Sequence, residues 1–264
     1  MMELLACHTS FKGEQRYYRH FAQTLQCSLQ LAIYIPVASL LKNCPCHINY
    51  YLPGLQTDAL LVASQSDYQR YANRYDTILV IPDLFKTYHG DDESRVGQYM
   101  QEHESIHNYL LHELPALMQE HFSTCSGRSI MGYGFGGTLA IYLALQHPEH
   151  YRSISALAPW IGFYGNTWYN EHLVQYDLPA HFDALQWYRD HPTTTPLPLW
   201  IDQGTEDDHL GSKIDLDAFE NFIATQPISE NIWINWRKRY DHSFYFVHSH
   251  IREHFVFHAE YYDS

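Results

Sequence analysis

The sequence predicts an α/β architecture, a mostly parallel sheet covered by helices on both faces. Three observations carry that expectation. Strand-like apolar runs alternate with helix-like ones along most of the chain. One of them, Thr77-Ile78-Leu79-Val80-Ile81-Pro82, is apolar without interruption, as a strand buried on both faces must be. Between Arg128 and Leu145 a short apolar strand runs into a glycine-dense turn, and an apolar helix leaves it.

The elements follow in order. Leu29 to Ile35 alternates like a strand and stops at Pro36. His47 to Leu52 is a second strand, ended by Pro53-Gly54. A helix is expected from Ala63 to Tyr75, then the strand at 77–82, then an amphipathic helix from Glu104 to Glu120. After the glycine turn and its helix, Ser153 to Ala158 and Leu197 to Asp202 read as strands, with a helix near Leu216 to Ala224. Asn231 to Trp236 is the last strand, and a helix from Ser243 to Tyr262 closes the chain. No repeat, low-complexity run or linker divides it, so a single domain over 1–264 is expected.

Composition narrows the function. The chain of 264 residues is 45% hydrophobic and 16% aromatic, which excludes disorder. The formal net charge of −14 opposes nucleic acid and anionic membrane as partners. Nineteen histidines make that charge fall steeply below about pH 6.5, a solubility property first. No apolar stretch approaches the ~18 residues of a membrane span, and the N-terminus lacks the basic and apolar regions of a secretory signal. Five scattered cysteines (Cys7, Cys27, Cys44, Cys46, Cys125) fit a reducing cytosol better than a disulfide framework, and Cys44-Pro45-Cys46 is too closely spaced for a CxxC metal site.

The turn is the most informative segment. In Gly132-Tyr133-Gly134-Phe135-Gly136-Gly137 the strand–turn–helix context is that of the Gly-x-Ser-x-Gly nucleophile elbow, with Gly134 in the nucleophile position. Gly132 and Gly136 stand where a sharp turn demands small residues. Two further loops follow strands. One is Gln203-Gly204-Thr205-Glu206-Asp207-Asp208-His209; the other is Tyr240-Asp241-His242-Ser243, which opens the last helix. Elbow, acid, histidine is the chain order of an α/β-hydrolase triad. In that arrangement His242 takes a proton from a nucleophile, and Asp207 fixes its tautomer and stabilises the imidazolium. An isolated Asp-His pair in a loop is more often a helix cap; it is the joint order after successive strands that makes these two residues catalytic candidates.

These pieces resemble the S-formylglutathione hydrolase (esterase D) family nearly end to end. The resemblance is carried by Gly13 to His20, Cys27, Leu31 to Pro36, Tyr50 to Leu55, Asn108 to Leu117 and His147 to Pro159. Its most specific pieces are Ile201 to Gly204 and Tyr240 to Phe246. It implies an α/β-hydrolase fold, Asp207 as catalytic acid and His242 as catalytic base. It also implies Leu55 and Phe135 as the residues whose backbone N–H groups form the oxyanion hole, a small acyl ester or thioester as substrate, and a homodimer. The sequence departs from the family at the elbow, where the family reads Gly-His-Ser-Met-Gly-Gly, so Gly134 replaces the serine and its two neighbours differ as well. Gln56-Thr57-Asp58 replaces Thr-Cys-Thr, Tyr164-Gly165 replaces Trp-Gly, and Phe85 to Gly97 is only loosely similar. Neither Ser129, five residues earlier in the strand, nor Thr138, one helical turn on, is well placed to substitute.

Two function classes follow. The first is a catalytically impaired relative that keeps acid, base and oxyanion loop. The second is a working thioesterase or carboxylesterase that converts S-formylglutathione to formate and glutathione, or cleaves small acyl esters. No redox, nucleotide or metal cofactor is indicated. His103-Glu104-Ser105-Ile106-His107 spells the H-E-x-x-H zinc signature, but the surrounding pattern belongs to another fold. His250, His254 and His258 share one face of the last helix, more simply as packing residues than as ligands.

Overall fold

The computed structural model describes residues 2–42, 46–122, 124–191 and 197–262. Cys44 of the Cys44-Pro45-Cys46 run lies outside them. A single nine-stranded sheet organises the chain: β1 (Met2–Ser10), β2 (Gly13–Ala22), β3 (Cys27–Ile35), β4 (Cys46–Leu52), β5 (Thr77–Pro82), β6 (Thr124–Tyr133), β7 (Ile154–Leu157), β8 (Leu199–Gly204) and β9 (Ile232–Arg237). The spatial order is β1-β2-β3-β5-β4-β6-β7-β8-β9. The first three strands form an antiparallel meander that joins β5 antiparallel; from β5 to β9 every pairing is parallel. This mostly parallel sheet, flanked by helices, is the α/β-hydrolase fold.

The central strands β4, β5 and β7 are buried along their whole length, because helices cover both faces. On one face lie the helix Phe135–Gln146 and the long helical segment starting at Asp92, with Val96, Tyr99, Ile106, Leu139 and Leu143 in the core. On the other lie Ala59–Gln65, Tyr68–Arg74 and the C-terminal helix Phe244–Ala259, with Val62, Tyr68, Phe246, Ile251 and Phe255 inside.

Several elements differ from expectation. The helix expected over 63–75 is two helices, because Ser66 is extended and Asp67 precedes the second. The helix expected to begin at Glu104 begins at Asp92, where Asp91 accepts a hydrogen bond from the Ser94 amide at 2.9 Å. It continues to His121 through a π-turn at Tyr109–Glu113. Pro115 accounts for the turn: it has no N–H and would crowd the carbonyl four residues back, so the helix widens before it. That carbonyl, of Leu111, instead accepts from Arg128 Nη2 at 3.5 Å.

Two buried polar clusters tie the C-terminal helix to the sheet. His258 is hydrogen bonded through Nδ1 to Ser153 Oγ at 2.7 Å and through Nε2 to Ser155 Oγ at 2.8 Å. Ser153 Oγ continues to Ser129 Oγ at 2.7 Å, and Ser129 to His47 Nε2 at 3.1 Å. Burial pushes the His258 imidazole well below its ordinary value, so it is neutral, with one nitrogen donating and the other accepting. In the second cluster, Asp202 at the carboxyl end of β8 accepts from Arg237 Nη2 at 3.0 and 2.9 Å and from Trp200 Nε1 at 3.0 Å, with His254 Nε2 3.5 Å away.

Burial pushes the Asp202 carboxyl up, but His254 and the Arg237 guanidinium outweigh it and leave the group below the usual carboxylate range. A depressed folded-state pKa means stability present above the unfolded value of about 3.9 and lost as pH falls through the folded one. Asp202→Asn is expected to cost about 3 kcal/mol at pH 7, since a buried partner is removed from a half-exposed arginine. Urea unfolding of both proteins from pH 7 down to pH 3 checks this. The difference should shrink below about pH 4, and a pH-independent difference would contradict the ionic assignment.

Candidate active site

The parallel strands deliver their carboxyl ends to one edge of the sheet, where ligands bind in such folds. There β6 ends at Tyr133, Gly134 makes the turn, and the helix starts at Phe135. Gly134 has φ 55° and ψ −129°, a region that glycine enters freely and L-residues occupy only under strain. The turn is fixed on both sides: the Gly134 amide donates to Leu157 O at 2.9 Å, and its carbonyl accepts from the Thr138 amide at 3.1 Å.

The loop after β8 carries Asp207 and the loop after β9 carries His242, and the two meet. His242 Nδ1 and Asp207 Oδ2 are hydrogen bonded at 2.9 Å. Asp207 Oδ2 also accepts from Gln203 Nε2 at 2.8 Å, and Oδ1 from the His209 amide at 2.9 Å. Burial pushes the Asp207 carboxyl up, yet the His242 hydrogen bond and charge, with the amide donors, hold it below the usual carboxylate range. The acid is therefore ionised at neutral pH and fixes the Nδ1–H tautomer, which leaves Nε2 as the basic nitrogen.

Nε2 faces the elbow. A Cβ on Gly134 would lie 3.3 Å from His242 Nε2 and 3.7 Å from Cε1. Among the described residues no side-chain hydroxyl or thiol is hydrogen bonded to Nε2. Ser129 is engaged with His47 and Ser153 inside the sheet. Thr138 Oγ1 donates to Trp160 O at 3.0 Å and accepts from the Trp160 amide at 2.8 Å. Ser243 Oγ donates to Asp241, and Thr57 Oγ1 to Gly54 O at 3.0 Å.

A cleft of about 900 Å³ opens above these residues, bordered by Gly54, Leu55, Gly134, Phe135, Trp160, His209, His242 and Tyr245 among others. Leu55 and Phe135 thus stand on the same cleft as Gly134 and His242. Phe135 is the first residue of its helix, so its N–H has no intrahelical acceptor and points out of the helix start. The Leu55 loop is pinned by three contacts. Arg95 Nη1 donates to Leu55 O at 2.6 Å, Gln56 Nε2 to Asp92 Oδ1 at 2.7 Å, and the Leu61 amide to Asp58 Oδ1 at 2.7 Å.

Sequence reasoning missed the rest of the rim. Lys213 Nζ donates to Asp92 Oδ2 at 2.6 Å and lies 4.7 Å from the centroid of the Trp160 ring. Phe135 sits among Phe85, Tyr99, Trp160 and Phe182, filling the floor beneath the elbow with aromatic rings. His209 packs against His242 with ring centroids 4.7 Å apart. Only the pairing of His209 with Asp207 in one loop could have hinted at this.

The two histidine patterns lie elsewhere. His107 Nε2 is hydrogen bonded to Tyr99 Oη at 2.7 Å and His103 Nδ1 to Met100 O at 2.8 Å. His258 spends both nitrogens on serines, His254 is buried beside Asp202, and His250 packs on Tyr240 and Phe246.

The Esterase family model matches residues 22–258. The chain belongs to this esterase family. Over nearly its whole length it is also similar to solved structures. An S-formylglutathione hydrolase from Agrobacterium tumefaciens is 29% identical, with a TM-score of 0.83 over 98% of this chain and 99% of that one. An S-formylglutathione hydrolase from Staphylococcus aureus is 17% identical, with a TM-score of 0.71 over 98% and 97%. A ferulic acid esterase from Anaeromyces mucronatus is 16% identical, with a TM-score of 0.72 over 94% and 92%. At these last two identities the likeness is one of fold.

Proposed function

We propose that this esterase is a catalytically impaired, S-formylglutathione hydrolase-like protein. In this reading Asp207 is the acid, His242 the base, and Leu55 and Phe135 the oxyanion donors, while Gly134 leaves the nucleophile position without an oxygen. The observation that supports it most is the pairing of an intact Asp207–His242 hydrogen bond with a glycine directly opposite Nε2. Acyl transfer through a serine ester needs an attacking oxygen at that point. Without it the remaining groups can bind an acyl ester or thioester and polarise its carbonyl, but they cannot form an acyl-enzyme. A rate enhancement of roughly 10³–10⁴ over water is what such a remnant retains in serine hydrolases. Exposed Cys7 and Cys27, both free thiols, support a reducing cytosol as its place, and the resemblance supports a homodimer.

The retained pair also favours a second reading, an active hydrolase of S-formylglutathione or small esters in which His242 activates water directly. A fluorophosphonate probe and a hydrolysis assay with S-formylglutathione and an aryl acetate separate the two. The impaired protein should take no covalent label and hydrolyse both substrates no more than roughly 10³–10⁴-fold faster than water, whereas a water-activating hydrolase, also unlabelled, should reach a kcat of about 1–10³ s⁻¹. A stoichiometric phosphonyl adduct near the elbow would overturn it.

A further inference from the structure

The elbow helix Phe135–Gln146 begins at the cleft and ends roughly 18 Å away, and its far end carries a different constellation. His147 is its C-cap, and Pro148–His150 forms one 3₁₀ turn directly after it. The Glu149 carboxylate reaches between the two imidazoles. Its Oε1 lies 3.6 Å from His147 Nδ1 and 3.6 Å from His150 Nε2. Each separation is longer than a hydrogen bond. Each is close to the ~3.3–3.5 Å that separates two ligand atoms bonded at 2.0–2.2 Å to one tetrahedral ion.

We propose that His147, Glu149 and His150 bind a divalent transition-metal ion of the zinc class, with a fourth position open to solvent or to His112. The three ligand atoms lie within 4.8 Å of one another; the Glu149 oxygen already stands near ligand spacing from each imidazole, and the partly exposed His147 and His150 rings turn toward one another to close onto one ion. Two imidazoles and one carboxylate select zinc-like ions over calcium or magnesium, which prefer all-oxygen sets.

The backbone presents the ligands in a fixed frame. The His147 amide donates to Leu143 O at 3.0 Å and the His150 amide to His147 O at 3.1 Å, while Arg128 Nε donates to His150 O at 2.9 Å. The position is electrostatically mixed. The carboxyl end of a helix and the Glu149 charge favour a cation, and the Arg128 guanidinium opposes it. His112 stands beside His150 with ring centroids 6.2 Å apart. Both border a second cleft of about 380 Å³ that also includes Arg128 and Glu149. The site is solvent-accessible, with side-chain exposures of 40%, 63% and 30% for His147, Glu149 and His150. An ion therefore enters without any opening of the fold. It is remote from the cleft and does not depend on what the elbow does.

Titration of the full-length protein with ZnCl₂ by calorimetry, paired with the visible spectrum of added Co²⁺ and a thermal melt, tests this. One site of micromolar affinity, a tetrahedral cobalt spectrum and a raised melting temperature are expected. His147→Ala with His150→Ala should weaken binding at least about 100-fold, and Glu149→Gln at least about 10-fold, no smaller than the roughly 10–100-fold that metal sites lose when only the groups supporting their ligands are changed. His103→Ala should change nothing. Zinc binding of unchanged affinity and stoichiometry in Glu149→Gln and in the double variant, or no saturable binding by the parent, would overturn the assignment.

Discussion

Gly134→Ser is expected to convert this protein into a fluorophosphonate-reactive esterase, with a hydrolysis rate raised about 10³-fold or more. The geometry supports the gain. The new Cβ would sit 3.3 Å from His242 Nε2, a contact that the imidazole relieves by moving a few tenths of an ångström, and the serine oxygen is carried on that Cβ toward the same ring. The backbone is already in the strained turn that a nucleophile elbow needs, at φ 55° and ψ −129°. That strain has a stability cost once a side chain is present, about 1–3 kcal/mol, or a melting temperature lower by roughly 2–10 °C. Gly134→Ala carries the same strain without an oxygen and serves as the control: it should melt like the serine variant and take no label. In the Gly134→Ser background, Asp207→Asn should lower kcat by about 10⁴, because the imidazole loses its fixed tautomer. A folded Gly134→Ser protein that neither labels nor turns over faster would move the defect from the nucleophile to the pocket. Tyr133 and Phe135, which stand where the resemblance to S-formylglutathione hydrolases implies histidine and methionine, would then be the residues to revert.

That experiment is conceivable from sequence alone, because the parts of the fold that hold the site are the parts whose physics is one-dimensional. β4, β5 and β7 are buried on both faces; their runs are mostly apolar, broken only by His47, Asn49, Thr77 and Ser155, and their limits are nearly readable. The elbow announces itself through glycine spacing, and Asp207 and His242 through their place after successive strands. β1 and β2 were not anticipated as strands. They mix Arg, Glu and His with apolar residues; β1 is largely exposed and pairs only with β2, while β2 is half buried, pairs also with β3 and puts Tyr18 and Ala22 in the core. The first turns of the helix at Asp92 are polar, with only Val96, Gly97 and Tyr99 buried before Ile106, so periodicity finds the helix late. Lys213 and Asp92 are 121 residues apart in the chain and meet only because the cleft's two walls do. No local pattern encodes such a pair.

Gly136→Ala, two residues from the permissive position, is expected to have the opposite outcome and the largest stability loss. A Cβ there would fall 2.3 Å from Leu52 O, 2.3 Å from Pro53 O and 2.7 Å from Leu52 C. All three are backbone atoms at the end of β4 and the start of the Leu55 loop, so no side chain can turn aside. The helix would have to lift off the strand that it packs against, or the strand end would have to move and carry Leu55 with it. Gly132 closes the same contact from the other side, since its Cβ would lie 2.4 Å from the carbonyl carbon and oxygen of Gly136. Overpacking that side chains can absorb costs about 1–3 kcal/mol. Here the obstruction is main chain, and a loss of more than about 4 kcal/mol is expected. Urea unfolding followed by near-ultraviolet circular dichroism measures it. A Gly136→Ala protein that melts within two or three degrees of the parent would mean that helix and strand stand further apart than described. The base-to-elbow distance on which the Gly134→Ser prediction depends would then be wrong as well. The two substitutions thus probe one geometry from opposite sides: at 134 a side chain meets an imidazole that can move, and at 136 it meets a backbone that cannot.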